Sequence, residues 1–134
     1  MNLIDLTLRV DLRTAGEAQA NLDKARSGHL GTHFDVMDKE FPLEYMEREA
    51  ILDKHVAIIA IDFAGVRNGK EHTPTDQLCA DRGTFIVENV CNLAAVLKGK
   101  KVAFFVAGTY PVNYVGTTGL PCRVVARMDY PISR

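Results

Sequence analysis

The chain has 134 residues, 47% of them hydrophobic and 25% charged, which suits one globular domain spanning 1–134 with a real core. Lys and Arg number 16 against 17 Asp and Glu, a net charge of -1, and no basic run of the kind a nucleic acid would attract is present. No apolar stretch reaches membrane-spanning length, and charged residues interrupt the start "MNLIDLTLRVDLR", so neither a membrane span nor a signal peptide is expected. Three widely spaced cysteines, Cys79, Cys91 and Cys122, fit small hydrophobes in a reducing cytoplasm, not a disulfide framework or a zinc knuckle.

In chain order, "LIDLTLRV" alternates apolar and polar residues and predicts an N-terminal strand. "TAGEAQANLDKAR" has helix-forming composition but a thin apolar face, which suits a surface helix or ordered loop. "PLEYMEREAIL" places Leu43, Met46, Ala50 and Ile51 near helical periodicity behind Pro42, and predicts a helix. "HVAIIAIDFAG" is a continuous apolar run and predicts a strand covered on both faces. "VRNGKEHTPTD" reads as a loop with a helix start signal, the helix running through "DQLCADRG". "TFIVENV" is a second buried strand, and "NVCNLAAVLKGK" a helix stopped by Gly99. "KKVAFFVAGTY" is a third buried strand, "PVNYVGTTGLP" a loop, and "CRVVARM" the final strand. Strands alternating with helices in the second half indicate an α/β domain.

"GHLGTHFDV", Gly28 to Val36, holds two of the four histidines. Its Ser-Gly and Gly-Thr pairs oppose a helix. In an extended segment, residues two apart share a face, so His29, Gly31, His33 and Asp35 point the same way. Gly31, lacking a side chain, would leave space for an ion. Two imidazoles and a carboxylate suit Zn²⁺, Mn²⁺, Fe²⁺ or Co²⁺, and three protein ligands leave positions for water. Thr32, on the other face, can bond backbone and hold the bend. The competing reading is a polar loop with two exposed histidines.

"HLGTHFD" resembles the signature His-x-Gly-Thr-His-x-Asp-x-Pro-x-His of the metal-dependent cyclase family, which includes bacterial kynurenine formamidase and isatin hydrolase. "IDLT", "AIIAIDFAG", "GTFIVENVCNLAAV" and "GLPCRVVARM" resemble further family segments in the same order. The resemblance implies a mixed α/β sheet with a β-barrel-like layer and flanking helices, of the swivelling β/β/α type, here shortened. It implies one or two divalent metals, commonly zinc or manganese, and hydrolysis of amide or cyclic amide bonds. It implies His29, His33 and Asp35 as metal ligands and Glu88 as a further ligand or proton carrier. The family's partner histidine falls by spacing on Asp76, with His72 one helical turn earlier, so either could serve. Taken without the resemblance, Asp76 reads as a residue capping the helix N-terminus and His72 as an exposed loop histidine.

The signature then breaks. Met37 stands at its proline and Lys39 at its last histidine. If Lys39 follows the family path, its ammonium faces the cleft among Asp35, Asp76 and Glu88, acts there as a catalytic group or in place of a second cation, and limits the chain to one metal. A solvated lysine beside Asp38 and Glu40 is the competing reading. The resulting expectation is a metal-dependent amidohydrolase acting on a small molecule. The alternative is a catalytically impaired metal- or small-molecule-binding domain. All-apolar strands with few covering elements predict a homodimer or higher oligomer, with "TYPVNYVGTTGL" near the contact or the pocket mouth.

Overall fold

The computed structural model describes residues 2–8, 10, 18–39, 47–48 and 56–129. Its strands are β1 (Leu3–Asp5), β2 (His33–Asp35), β3 (Glu47–Arg48), β4 (Ile58–Ala60), β5 (Phe85–Glu88), β6 (Val106–Pro111) and β7 (Gly119–Arg127). Its helices are α1 (Ala18–Ser27), α2 (His72–Asp81) and α3 (Leu93–Leu97), and a 3-10 turn over Gly69–Glu71 leads into α2. The fold is mixed α/β, with a seven-stranded sheet curled into a half-barrel. The strand order is β3-β6-β7-β2-β5-β4, with β1 also on β7. Only β4 and β5 run parallel; the other named pairs are antiparallel.

The long strand β7 organises the sheet. Along one edge it pairs with β6 from Cys122 to Arg127. Its residues Gly119 to Pro121 pair with β2, and Val125 to Arg127 pair with β1. Backbone bonds from Leu6 to Val124 and from Cys91 to Leu6 continue the ladder between β7 and the end of β5.

Register then sorts the side chains. Phe34 lies opposite Val87 on one neighbour and Leu120 on the other, and all three belong to the buried apolar core. Alternation sends His33, Asp35, Ile86 and Glu88 to the opposite side of the same strands. One sheet segment therefore carries the apolar core on one side and a polar group on the other.

Several expectations are corrected. The helix over 42–52 is not formed at Glu47–Arg48, which instead pairs with Ala107 and Gly108 of β6; sheet pairing overrides helical periodicity there. The rest of that stretch lies outside the described residues. The run "HVAIIAIDFAG" yields a strand of three residues, and it is not covered on both faces: Val56 is 56% and Phe63 69% exposed. α3 is shorter than expected because Asn89 and Asn92 adopt left-handed φ values of 57° and 58°, which break the chain before Leu93. Its end does fall at Lys98 and Gly99, both at positive φ. The third buried strand starts at Val106, leaving Val102 and Phe104 exposed, and the last starts three residues early, at Gly119. Cys79 and Cys91 are half-buried and Cys122 is buried, all three unpaired. Burial alone pushes the Cys122 thiol up to about 12, so it behaves as a hydrophobe. Among the described residues no helix is long and apolar enough to cross a membrane.

Candidate metal centre

His33 and Asp35 reach the site by strand alternation, as expected. His29 does not. Gly28 and Gly31 take φ values of 84° and 75°, so the segment before β2 is a turn and not an extended strand. Gly31 does not leave room for an ion either: a side chain there would meet Val10 at 2.9 Å. The glycines that matter are Gly28 and Gly119. A Cβ on Gly28 would lie 1.7 Å from the Gly119 carbonyl oxygen, and one on Gly119 would lie 3.0 Å from the His29 ring. This close backbone approach lets the turn press His29 onto β7. Thr32 behaves as expected: its hydroxyl donates to the Asn89 carbonyl at 2.8 Å and accepts the Leu8 N–H at 2.7 Å, tying three segments together.

The second half of the site comes from α2 and β5. The helix begins at His72, not at Asp76, because Pro74 sits in its first turn, where no N–H is needed. His72 is therefore not a loop residue, and Asp76 lies one turn inside the helix on the same stripe. Both face Glu88. Gly65, at φ 126°, packs so closely on the His72 imidazole that a Cβ would lie 2.1 Å from Nδ1.

The outcome is two adjoining groups, His29–His33–Asp35 and His72–Asp76–Glu88, each with ligand atoms within 4.8 Å of one another. The carboxylates are deeply buried, with Asp35 and Asp76 each 2% and Glu88 4% exposed. His29 and His72 are half-buried and mark where the site meets solvent.

The imidazole tautomers are fixed from behind. Nδ1–H of His33 donates to the Gly31 carbonyl at 2.8 Å, and Nδ1–H of His72 donates to the Arg67 carbonyl at 3.2 Å. The Ser27 hydroxyl donates to the Asp23 or Lys24 carbonyl, so its oxygen accepts Nδ1–H of His29 at 3.0 Å. Each Nε2 then faces carboxylate oxygen. His29 Nε2 is 3.0 Å from Asp35 Oδ1, and His33 Nε2 is 3.5 Å from Asp35 Oδ1 and 3.4 Å from Glu88 Oε2. His72 Nε2 is 3.3 Å from Asp76 Oδ2 and 3.8 Å from Glu88 Oε1. A neutral imidazole lone pair aimed at a carboxylate is repulsive, so a proton or a cation must lie between them.

At the site, four buried atoms have no hydrogen-bond partner: His33 Nε2, Asp35 Oδ2, Asp76 Oδ1 and Glu88 Oε1. Orphaned groups of this kind are costly in a folded protein. Back-bonded histidines beside orphaned carboxylates are the donor set a divalent cation needs, and the residues fit one.

Without a cation, the carboxyls push one another apart. Burial, then the neighbouring Asp35 charge, raises Glu88 to about 7. The same causes in the same order raise Asp76. Burial opposes the charge on Asp35, yet the adjoining imidazoles of His29 and His33 hold its carboxyl well below the ordinary value. Burial also opposes the charge on His33, but the adjoining Asp35 carboxylate and the Gly31 carbonyl raise it overall.

Lys39 is not among the converging groups. Its Nζ lies 3.1 Å from Asp38 Oδ1 and 3.1 Å from Asp81 Oδ1, both exposed. The cause is local. Met37 adopts φ 56°, which a proline cannot, and Lys39 N–H closes a turn onto the Val36 carbonyl. The chain after Asp35 thus takes a path that the proline of the signature would forbid. Asp35, Asp76 and Glu88 are not compensated by this ammonium.

Beside the site, an open apolar cavity of about 300 Å³ is lined by Leu8, Val10, Leu30, Tyr110, Val112 and Pro121. Pro121 of its lining is the cross-strand neighbour of His33, and Tyr110 and Val112 belong to the stretch "TYPVNYVGTTGL".

No protein-family model matches the chain, and no curated protein matches it. A solved structure described as a potential metal-dependent hydrolase with cyclase activity is similar over 56% of this chain, at 25% sequence identity and a TM-score of 0.41. The similar part spans 35% of that protein's chain. The functional reading therefore rests on the residues of the site.

Proposed function

We propose that this protein is a metal-dependent hydrolase that cleaves a C–N bond of the amide, formamide or cyclic amide type. One observation carries the metal dependence: three imidazoles, each anchored through Nδ1, aim Nε2 at buried carboxylates that include unpartnered oxygens. The bond type is supported by the likeness of "HLGTHFD" to the cyclase signature. Zinc and manganese both suit the mixed nitrogen and oxygen donors.

A divalent cation, when bound, polarises a substrate carbonyl and makes a water molecule a usable nucleophile near neutral pH. His29, His33 and Asp35 would hold it in place. Ser27 and the Gly31 carbonyl keep the two imidazoles in the ligating tautomer. Glu88 Oε2 faces the His33 side of the site and is the group to accept a proton there and return it to the departing nitrogen. The exposed faces of Phe63, Tyr114 and Val115 support a homo-oligomer as the working form.

A second reading is a metal-holding domain without turnover. It is favoured by the place of Lys39, since the signature's last histidine has no counterpart at the site among the described residues. Assaying formyl-anilides and cyclic imides with added Zn²⁺ or Mn²⁺, alongside metal analysis of tag-free protein, separates the two. Turnover that a chelator abolishes supports the hydrolase. Bound metal without turnover on any member of the panel supports the second reading. Protein that takes up no metal contradicts both.

A further inference from the structure

We infer that the two halves of the centre are unequal cation sites, the His72–Asp76–Glu88 group favouring a harder cation such as Mn²⁺ and the His29–His33–Asp35 group favouring Zn²⁺. This rests on the metal-dependent reading above and specifies how its centre is loaded. The donor sets differ in kind. The first group offers two imidazole nitrogens and one carboxylate, the second one imidazole and two carboxylates. Nitrogen-rich sets suit zinc, whereas added carboxylate oxygen moves preference toward manganese and magnesium.

The second group is a built site and not only an acidic cluster. Asp76 Oδ1 and Glu88 Oε1 are buried and unpartnered, and both residues are at least nine-tenths buried. His72 is locked from two sides, by the Arg67 carbonyl at its Nδ1 and by Gly65 packed against its ring. Helical spacing of four residues holds Asp76 beside it, with His72 Nε2 3.3 Å from Asp76 Oδ2. Among the described residues no lysine fills the space, since Lys39 is engaged by Asp38 and Asp81.

Accessibility does not separate the groups, since each has one half-exposed imidazole, His29 at 28% and His72 at 34%, beside two buried side chains; the donor chemistry alone carries the difference.

The experiment loads chelator-stripped full-length chain with Zn²⁺ alone, Mn²⁺ alone, and one equivalent of each. Metal content and the electron paramagnetic resonance of bound Mn²⁺ are read. Two binding steps are expected, with the zinc-over-manganese preference at least ten-fold greater at the first group than at the second. Asp76→Asn is expected to remove the second step and leave the first. His72→Asp changes a half-exposed residue at a helix start, where an acidic side chain is favourable, so the fold is retained. It is expected to keep the manganese step and weaken zinc there at least ten-fold. Equal preference at both groups, or a manganese step indifferent to both substitutions, overturns the inference while leaving a metal-dependent enzyme intact. Absence of any bound metal overturns the functional reading as well.

Discussion

The two halves of the centre are built by different means. Between them, they show what a local pattern can encode. His29, His33 and Asp35 fall within seven consecutive positions, on a turn and the strand it feeds. His72, Asp76 and Glu88 span a helix and a strand, and meet only because α2 packs on β5. The first half depends on strand period and two glycines. The second depends on a helix register and on tertiary docking. Substitutions that damage one half and spare the other test whether this division is real.

The largest expected effect is at His33. Its ring is fully buried and ties Asp35 to Glu88. His33→Ala should abolish cation binding at the first group. With cation at a thousand-fold over its dissociation constant, the lost stabilisation is about 4 kcal/mol. Thermal melts with and without added Zn²⁺ measure it. A zinc-induced rise in Tm equal to that of the parent would show that His33 is not a ligand.

The glycine supports should separate the halves more cleanly. Gly28→Ala forces a Cβ into the Gly119 carbonyl at φ 84°, and should cost about 3 kcal/mol while displacing His29. Gly65→Ala forces one into the His72 ring at φ 126° and should perturb the second group alone. The check is stepwise metal titration of each variant. Loss of the same binding step in both would merge the two groups into a single site.

These glycines show where the sequence stopped being legible. Period two correctly placed His33 and Asp35 together. The same logic carried too far made His29 part of an extended strand and gave Gly31 an ion to accommodate, when positive φ at Gly28 and Gly31 makes the segment a turn. Gly28, Gly65 and Gly119 matter through what a Cβ would strike, and no pattern along the chain contains that. Thr-Pro-Thr-Asp looks like a boundary and points to Asp76 as the helix start; Pro74 is tolerated within the first turn, so His72 joins the helix. The fold's α/β character was legible from its apolar runs. The exposure of the edge strand β4 and the strand at Glu47–Arg48 were not, because partner strands and not local propensity decide them.

Acidity should sharpen the contrast between the metal-free and loaded centres. In the metal-free protein the Glu88 carboxyl keeps its proton up to about 7, against an ordinary 4.5. The folded state then binds more protons than the unfolded one across that window, so stability falls as pH rises through it. His33, raised from 6.5, acts in the same direction: its contribution is present below 6.5 and is lost as pH rises through its folded value. Asp35, lowered from 3.8, acts oppositely and loses its contribution only as pH falls below that value. Between pH 5 and 8, chelator-treated protein should lose on the order of 2 kcal/mol. Cation binding needs the deprotonated ligands, so the loaded protein should gain relative to it as pH rises. Parallel melting curves for the two forms would disconnect these groups from metal.

The smallest expected effect is at Lys39, and it decides which backbone path the chain follows after Asp35. Two paths are available to a sequence that resembles the cyclase signature. One carries residue 39 into the cleft, where an ammonium would repel a second cation. The other turns at Met37 and sends it toward α2, as its contacts with Asp38 and Asp81 indicate. Those ion pairs are exposed and screened by solvent, so they contribute little. Lys39→His should therefore leave metal stoichiometry unchanged and the melting temperature close to that of the parent. An imidazole on this path cannot reach Asp35 or Glu88, so it should not add a ligand or raise turnover. Isothermal titration of Zn²⁺ and Mn²⁺ into both proteins, with melts at matched pH, reads both quantities. An added equivalent of metal in the variant would put residue 39 back in the cleft and make Met37 a tolerated substitution on the signature's own path.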